Sequence, residues 1–354
     1  MQAENRSPFP HMVYEKTGGK GQYFDVIVVA GTFDLVHGQP LRIAEEQKPI
    51  NGVDRYAGEP VNTGLLEETQ LVLAKKRTDI HVLGSAKPKD GKPAPNWPIG
   101  VRVGPLSKTA MLTGPRYWNW SVIRGWHLTA PQPAESVALH MGMAYGGAVP
   151  RPGYKGSATS DIHNPEAFDA YAANPAGKGY FGAQTLDRAQ FYPAAQIEDM
   201  EQPIRDISKR YTPVAFGPQP RWSPSRARHI GTCDAHWQNE VFPFLPADFD
   251  FAFYQSAQPD LIAPNWLQGG EDIVLLGCEA TGRVESQLPD MGLLALVTDG
   301  SGRVQPAPMR LDTVSIDLDS STVQLIWRRS VPRSRGLRHV RLLAISGIAG
   351  TRRG

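Results

Sequence analysis

The chain has 354 residues, 41% of them hydrophobic and 20% charged, and its formal net charge is +2. That composition excludes a wholly disordered chain and carries no electrostatic signature of a dedicated nucleic-acid binder. Proline (31) and glycine (35) are abundant, so regular elements should be short: proline removes a backbone donor, and glycine loses the most entropy on ordering.

The opening MQAENRSPFP has no basic stretch followed by an apolar one, so no signal peptide is expected. The longest apolar run, Val26 to Ala30, is far below the ~20 residues that cross a bilayer. A cytoplasmic protein with no membrane partner is the expectation. Short Val/Ile/Leu-rich segments predict strands at 24–30 and 79–84, and a helix is expected over 64–75. Ile99, Val101 and Val103 alternate with Gly100, Arg102 and Gly104, as in a half-buried strand, and a further strand is expected at 109–113. Asn164-Pro165 suits the start of a second short helix over 166–173. Between about 147 and 225 the chain is too rich in Gly and Pro for regular structure and too aromatic for a flexible linker, which predicts ordered loops on a β scaffold. Strands are expected again at 272–277, 293–298 and 338–345. The segment 313–328 reads as a β-hairpin: Val314, Ile316 and Leu318, then Val323, Leu325 and Trp327, flank the turn residues Asp319-Ser320-Ser321.

The fold class implied is mainly β, with antiparallel sandwich- or barrel-like sheets, long Gly/Pro/aromatic-rich loops and few short helices. Four regions are expected: an N-terminal arm (1–20), a β-rich half (21–150), a loop-rich and β second half closely packed on it (151–330), and a basic end (331–354). Cys233 and Cys278 are expected to remain reduced.

Motifs that would carry chemistry are sparse. Gly177-Lys178-Gly179-Tyr180-Phe181-Gly182 matches G-x-G-x-x-G, but no apolar strand precedes it, so a Gly-rich turn is favoured over a dinucleotide site. His229, Cys233 and His236 have ligand-like spacing without a fourth ligand, and no metal or other cofactor is expected. Asp248, Asp250 and the Glu198 cluster are the carboxylates a glycan-acting hydrolase or carbohydrate-binding protein could use, although Asp in such a context more often caps turns. From Arg328 onward there are eight arginines (328, 329, 333, 335, 338, 341, 352 and 353) and no acid, which suggests either a solvated basic end or a surface for an acidic partner. The eight tryptophans are expected mostly as anchors, with a few as binding hot spots.

Several strings, in order, carry a family resemblance. They are Val28-Val29-Ala30-Gly31-Thr32-Phe33-Asp34, Lys76-Arg77-Thr78-Asp79 with Gly84-Ser85-Ala86, Lys108 with Thr113-Gly114-Pro115-Arg116-Tyr117-Trp118, and Ala144-Tyr145-Gly146-Gly147. Asn174-Pro175-Ala176-Gly177-Lys178-Gly179, Ala215-Phe216-Gly217-Pro218, Trp222, Trp237, Leu245-Pro246-Ala247-Asp248-Phe249-Asp250 and Ala257-Gln258-Pro259-Asp260 follow, and Leu311-Asp312-Thr313-Val314 to Trp327-Arg328 completes the set. Together they resemble a domain-of-unknown-function family of type VI secretion accessory proteins, encoded beside VgrG spike and PAAR-like effector genes. Cys233 stands where that family usually has an aromatic. The resemblance implies a non-catalytic adaptor or chaperone that binds a PAAR-like effector and helps load it on the VgrG spike, with no nucleic-acid partner. A structural, spike-associated component exported with the effector is the third reading. The residues expected to contact a partner are Tyr145, Gly146, Gly147, Asn174, Gly177, Gly179, Trp222 and Trp237.

Overall fold

The computed structural model describes residues 2–60, 62–154, 162–182, 186–333 and 336–346. The chain is mainly β, built from several mostly antiparallel sheets with short helical turns, and no sheet among the described residues closes into a barrel. The largest sheet has the spatial order His11–Thr17, Tyr23–Asp34, Thr322–Pro332, Arg310–Asp317 and Asp79–Leu83, with the short Arg42–Ile43 strand beside Tyr23–Asp34. Its first four members pair antiparallel, and Asp79–Leu83 pairs parallel with Arg310–Asp317. The hairpin expected over 313–328 is present as Arg310–Asp317 and Thr322–Pro332, with Ser321 at φ 50° in its turn. A five-stranded sheet centres on Asn96–Val103 between Leu106–Thr113 and Asp272–Leu276. A four-stranded sheet pairs Met291–Thr298 with His339–Ser346.

Strand alternation explains where the core lies. In the large sheet Ile27, Val29, Ile80, Val82, Val314, Ile316, Val323, Leu325 and Trp327 face the main apolar core, where Phe9 stacks on Trp327 at 5.8 Å. The core also takes Ile99, Val101, Leu112, Ile273 and Leu342, so it draws on both ends of the chain. The intervening residues Thr32, Asp79, His81, Thr313, Ser315, Asp317, Gln324 and Arg328 occupy the opposite face. That face is covered by residues 47–76, which makes a second, polar layer.

Two expected helices are absent. Residues 65–67 form the short strand Leu65–Glu67, and residues 68–75 run as an irregular segment, almost all buried. A helix would consume the carbonyls of residues 70–73 internally, whereas here they accept bonds from the sheet. The Gln70 and Val72 carbonyls accept from Arg328 Nη1 at 2.7 and 3.2 Å, and that of Leu73 accepts from Ser330 Oγ. The second expected helix is replaced by Phe168–Ala170, paired antiparallel with Ala148–Pro150. Among the described residues no helix is long and apolar enough to cross a membrane. Cys233 and Cys278 are both free thiols.

Candidate functional site

Beneath residues 68–76 the polar layer holds three acids and three cations. Lys75 pairs with Asp79 at 2.7 Å and Glu68 at 3.4 Å, Arg226 with Glu68 at 2.6 Å, and Arg328 with Asp312 at 2.6 Å. All six are buried. Ser256 donates to Glu68, and its Oγ lies 3.0 Å from His81 Nε2. Burial alone would raise the Glu68 carboxyl, but the Arg226 and Lys75 charges outweigh it and bring the pKa down to about 2. Burial, with the Lys75 charge, brings His81 down to about 4, so the imidazole is neutral at pH 7. Because Ser256 gives its proton to the carboxylate, it is not positioned as a nucleophile activated by His81. The layer is a closed ionic staple.

Beside this layer a groove of about 770 Å³ opens between the cover and the sheet. Its cover is formed by Lys48, Pro49, Ile50, Asn51, Arg55 and Leu66, and its floor by Ser315, Asp317, Thr322 and Gln324. His140 lines it as well; its Nδ1 accepts from the Gly142 N–H at 3.1 Å, which leaves the ring proton on Nε2. Burial, reinforced by the Lys178 charge, holds His140 below the usual imidazole range. The cations of the groove are paired: Lys48 with Asp317 at 2.7 Å, and Arg55 with Glu67 at 2.7 Å.

A third feature is a hairpin of Tyr117–Ser121 and Gly125–Leu128. Gly125 at φ 62° completes the three-residue turn, a conformation glycine adopts without strain. The turn presents Val122 at 87% and Ile123 at 94% exposure. Behind it Trp118 is buried, Trp126 meets Tyr192 edge-on at 5.8 Å, and the Arg188 guanidinium lies 4.4 Å from the Trp120 ring. Sequence reasoning passed over this tip. The available signal was an aliphatic β-branched pair at the centre of a turn, where polar residues and glycine are usual.

The residues expected to contact a partner are placed differently. Tyr145, Gly146, Gly147 and Asn174 are buried. Asn174 Nδ2 donates to the carbonyls of Met141 and Tyr145, and Tyr145–Gly146 pairs in parallel with Lys178–Gly179. A Cβ on Gly146 would lie 2.0 Å from the Asn174 carbonyl oxygen, and one on Gly177 2.4 Å from the Asn174 amide. These residues therefore serve close loop packing, and the 177–182 string is a turn and short strand, as its context suggested. Gly177 and Gly179 are half-buried in the same loop. Trp222 is half-buried against His163 at 4.7 Å. Trp237, also half-buried, donates to the Phe244 carbonyl and meets Phe242 edge-on at 5.6 Å.

The carboxylates are likewise engaged. Asp248 accepts from the Thr232 N–H and hydroxyl, Asp250 caps the Phe251–Tyr254 turn through the Ala252 N–H, and Glu198 is buried against Arg116 at 2.9 Å. His229, Cys233 and His236 do not converge, and among the described residues no trio of His, Cys, Asp or Glu could hold a metal ion. The C-terminal arginines do not make one surface: Arg328 is interior, while Arg333 pairs with Glu15 and Arg341 with Glu4 at 2.7 Å. Arg335, Arg352 and Arg353 lie outside the described residues.

No curated protein and no solved structure matches the chain. The family model described as "Uncharacterized protein conserved in bacteria (DUF2169)" matches residues 20–328, and the chain belongs to that family.

Proposed function

We propose that the chain is a non-catalytic adaptor of bacterial type VI secretion, which binds a PAAR-like toxin effector in the cytoplasm and promotes its loading onto the VgrG spike. The type VI assignment is supported by the ordered strings described above. The observation that carries a protein-binding role is the hairpin tip, where Val122 and Ile123 stand almost fully in solvent on an aromatic base. Two aliphatic side chains placed there contribute nothing to the core of this chain. Covered by a partner, they would supply ~1.5–3 kcal/mol each. Trp120 and Arg188 beside them are the residue types that dominate interface energetics.

The test is co-expression with the PAAR-like protein encoded beside this chain, followed by affinity purification. A stoichiometric complex is expected, and V122D/I123D should weaken it by at least about 100-fold on the same burial estimate while leaving the melting temperature unchanged. A complex indifferent to the double substitution would remove the hairpin from the interface, and no complex at all would defeat the adaptor reading.

A further inference from the structure

We infer that the outer face of the four-stranded sheet is an interface between two copies of this chain. The sheet has the order Gln2–Asn5, His339–Ser346, Met291–Thr298 and Val304–Pro308. Its inner face is core: Leu293, Ala295, Val297, Ala307, Val340 and Leu342 are all buried. An antiparallel sheet with one face on the core ordinarily alternates apolar and polar residues, because its second face meets water. Here the second face is apolar as well. Leu294 stands between Pro308 and Leu343, and Leu296 between Pro306 and Arg341. Ile345 and Val304 extend the patch, 38% and 56% exposed. An unbroken run such as Leu293-Leu294-Ala295-Leu296-Val297 is the pattern of a strand covered on both sides. In the single chain Leu294, Leu296 and Leu343 nevertheless stay partly exposed.

Charge, area and edge chemistry point to a second copy as the cover. Arg341, the cation among these rows, is already paired with its cross-strand neighbour Glu4 at 2.7 Å, so the face asks for no charge from what covers it. A neutral apolar face is complementary to another like itself, and homodimer interfaces are the more apolar class. The strands have 8, 8, 5 and 4 residues, which at ~3.4 Å per residue and ~4.8 Å between strands is roughly 400 Å² of flat sheet. With side-chain relief, two such faces bury about 1,000 Å², the size at which an interface becomes specific. They pack as the sheets of a sandwich do, ~10 Å apart with side chains interdigitated. Joining edge to edge through Val304–Pro308 is disfavoured. The Met309 N–H bonds the Leu293 carbonyl at 2.9 Å, which turns the backbone nitrogens of 304, 306 and 308 to the outer edge, and Pro306 and Pro308 have no N–H to give. The association is therefore face to face and closes at two copies. It does not rest on the type VI reading, and the Tyr117–Ser121 and Gly125–Leu128 hairpin belongs to another sheet.

Sedimentation equilibrium of the purified full chain, over a concentration series reaching about 100 μM, is expected to give a reversible dimer. Ile345→Glu and Val304→Glu change exposed positions of the face, so the circular dichroism spectrum should stay that of the wild type. Symmetry places each new carboxylate on both copies, and either variant should raise the dimer Kd at least about 100-fold. V122D/I123D, away from the face, should leave it unchanged. A chain that stays monomeric throughout the series would overturn the proposal. So would a dimer that both face variants leave intact, or one that only the hairpin variant breaks. A monomer that still captures the effector through its hairpin removes the dimer alone, so the two readings fail separately.

Discussion

Removing Arg226 is the sharpest perturbation of the polar layer. Its guanidinium is 1% exposed and makes three bonds: to Glu68 at 2.6 Å, to the Gln219 carbonyl at 2.6 Å and to the Phe253 carbonyl at 2.9 Å. Arg226→Met keeps an unbranched side chain that can fill much of the space but leaves Glu68 facing only Lys75, at 3.4 Å, and the Ser256 hydroxyl. Breaking a buried pair from one side costs about 3–5 kcal/mol, because the remaining charge is stranded. At an unfolding entropy of about 2 cal/mol/K per residue, 4 kcal/mol lowers Tm by about 5 °C in a chain of this length. Urea denaturation followed by tryptophan fluorescence measures the loss, and eight tryptophans supply the signal. Glu68→Gln should be costly alone, yet the double variant should lie at least about 1 kcal/mol closer to wild type than the two losses added, because the two groups share one interaction. A loss below about 1 kcal/mol for Arg226→Met, or strict additivity, would refute the view that Arg226 neutralises Glu68.

Two further predictions concern titration and thiols. The folded-state pKa of His81, about 4, lies below its ordinary 6.5. The unfolded chain therefore takes up this proton first, and the stabilisation is complete above pH 6.5 and is lost as pH falls toward 4. The span amounts to about 3 kcal/mol. His81→Asn should show a shallower loss between pH 6.5 and 4.5 in urea titrations, and an unchanged slope would show that His81 is not the group responsible. Burial pushes the Cys278 thiol up to about 12, whereas Cys233 is only partly covered. A thiol reagent should modify one cysteine in the native protein and two after denaturation, with Cys233→Ser removing the native signal; rapid native modification at Cys278 would contradict its enclosure.

The strands were legible in the sequence where alternation was clean. Val314, Ile316, Val323, Leu325 and Trp327 all point to the core, as period two requires. What could not be read was that the other face of the same strands is also covered. Ser315, Gln324 and Arg328 look like solvent-facing residues until the 47–76 segment is placed over them, and that placement depends on contacts such as Gln70 to Gln324, 254 residues apart. The same long-range bonds explain why 64–75 is not a helix: its carbonyls are taken by Arg328 and Ser330. At the loops the difficulty is of another kind. Gly146 and Gly177 have glycine's usual meaning, close approach of something to the backbone, but a sequence does not say whether a ligand or the chain's own Asn174 approaches. Val122 and Ile123 went unnoticed because a short aliphatic pair reads as interior, and only the turn geometry puts it outside.

The ionic layer and the groove are parts of one arrangement. Six buried charges do not hold a fold more tightly than well-packed apolar residues of the same volume, which often do as well or better. What charges add is uniqueness of register, since a one-residue slip of the cover would strand Lys75 from Asp79 and separate the carbonyls of Gln70 and Val72 from Arg328. An apolar layer would tolerate such a slip. The residues held in register include Gln70, whose amide accepts from the Asn51 N–H and donates to Gln324 Oε1. Neutral His81 links the two regions: its Nε2 side meets Ser256 within the layer, and its Nδ1 lies 3.5 Å from Ser315, a floor residue of the groove. The polar cost of the layer therefore makes physical sense as the means by which an irregular segment is held in one register on the sheet.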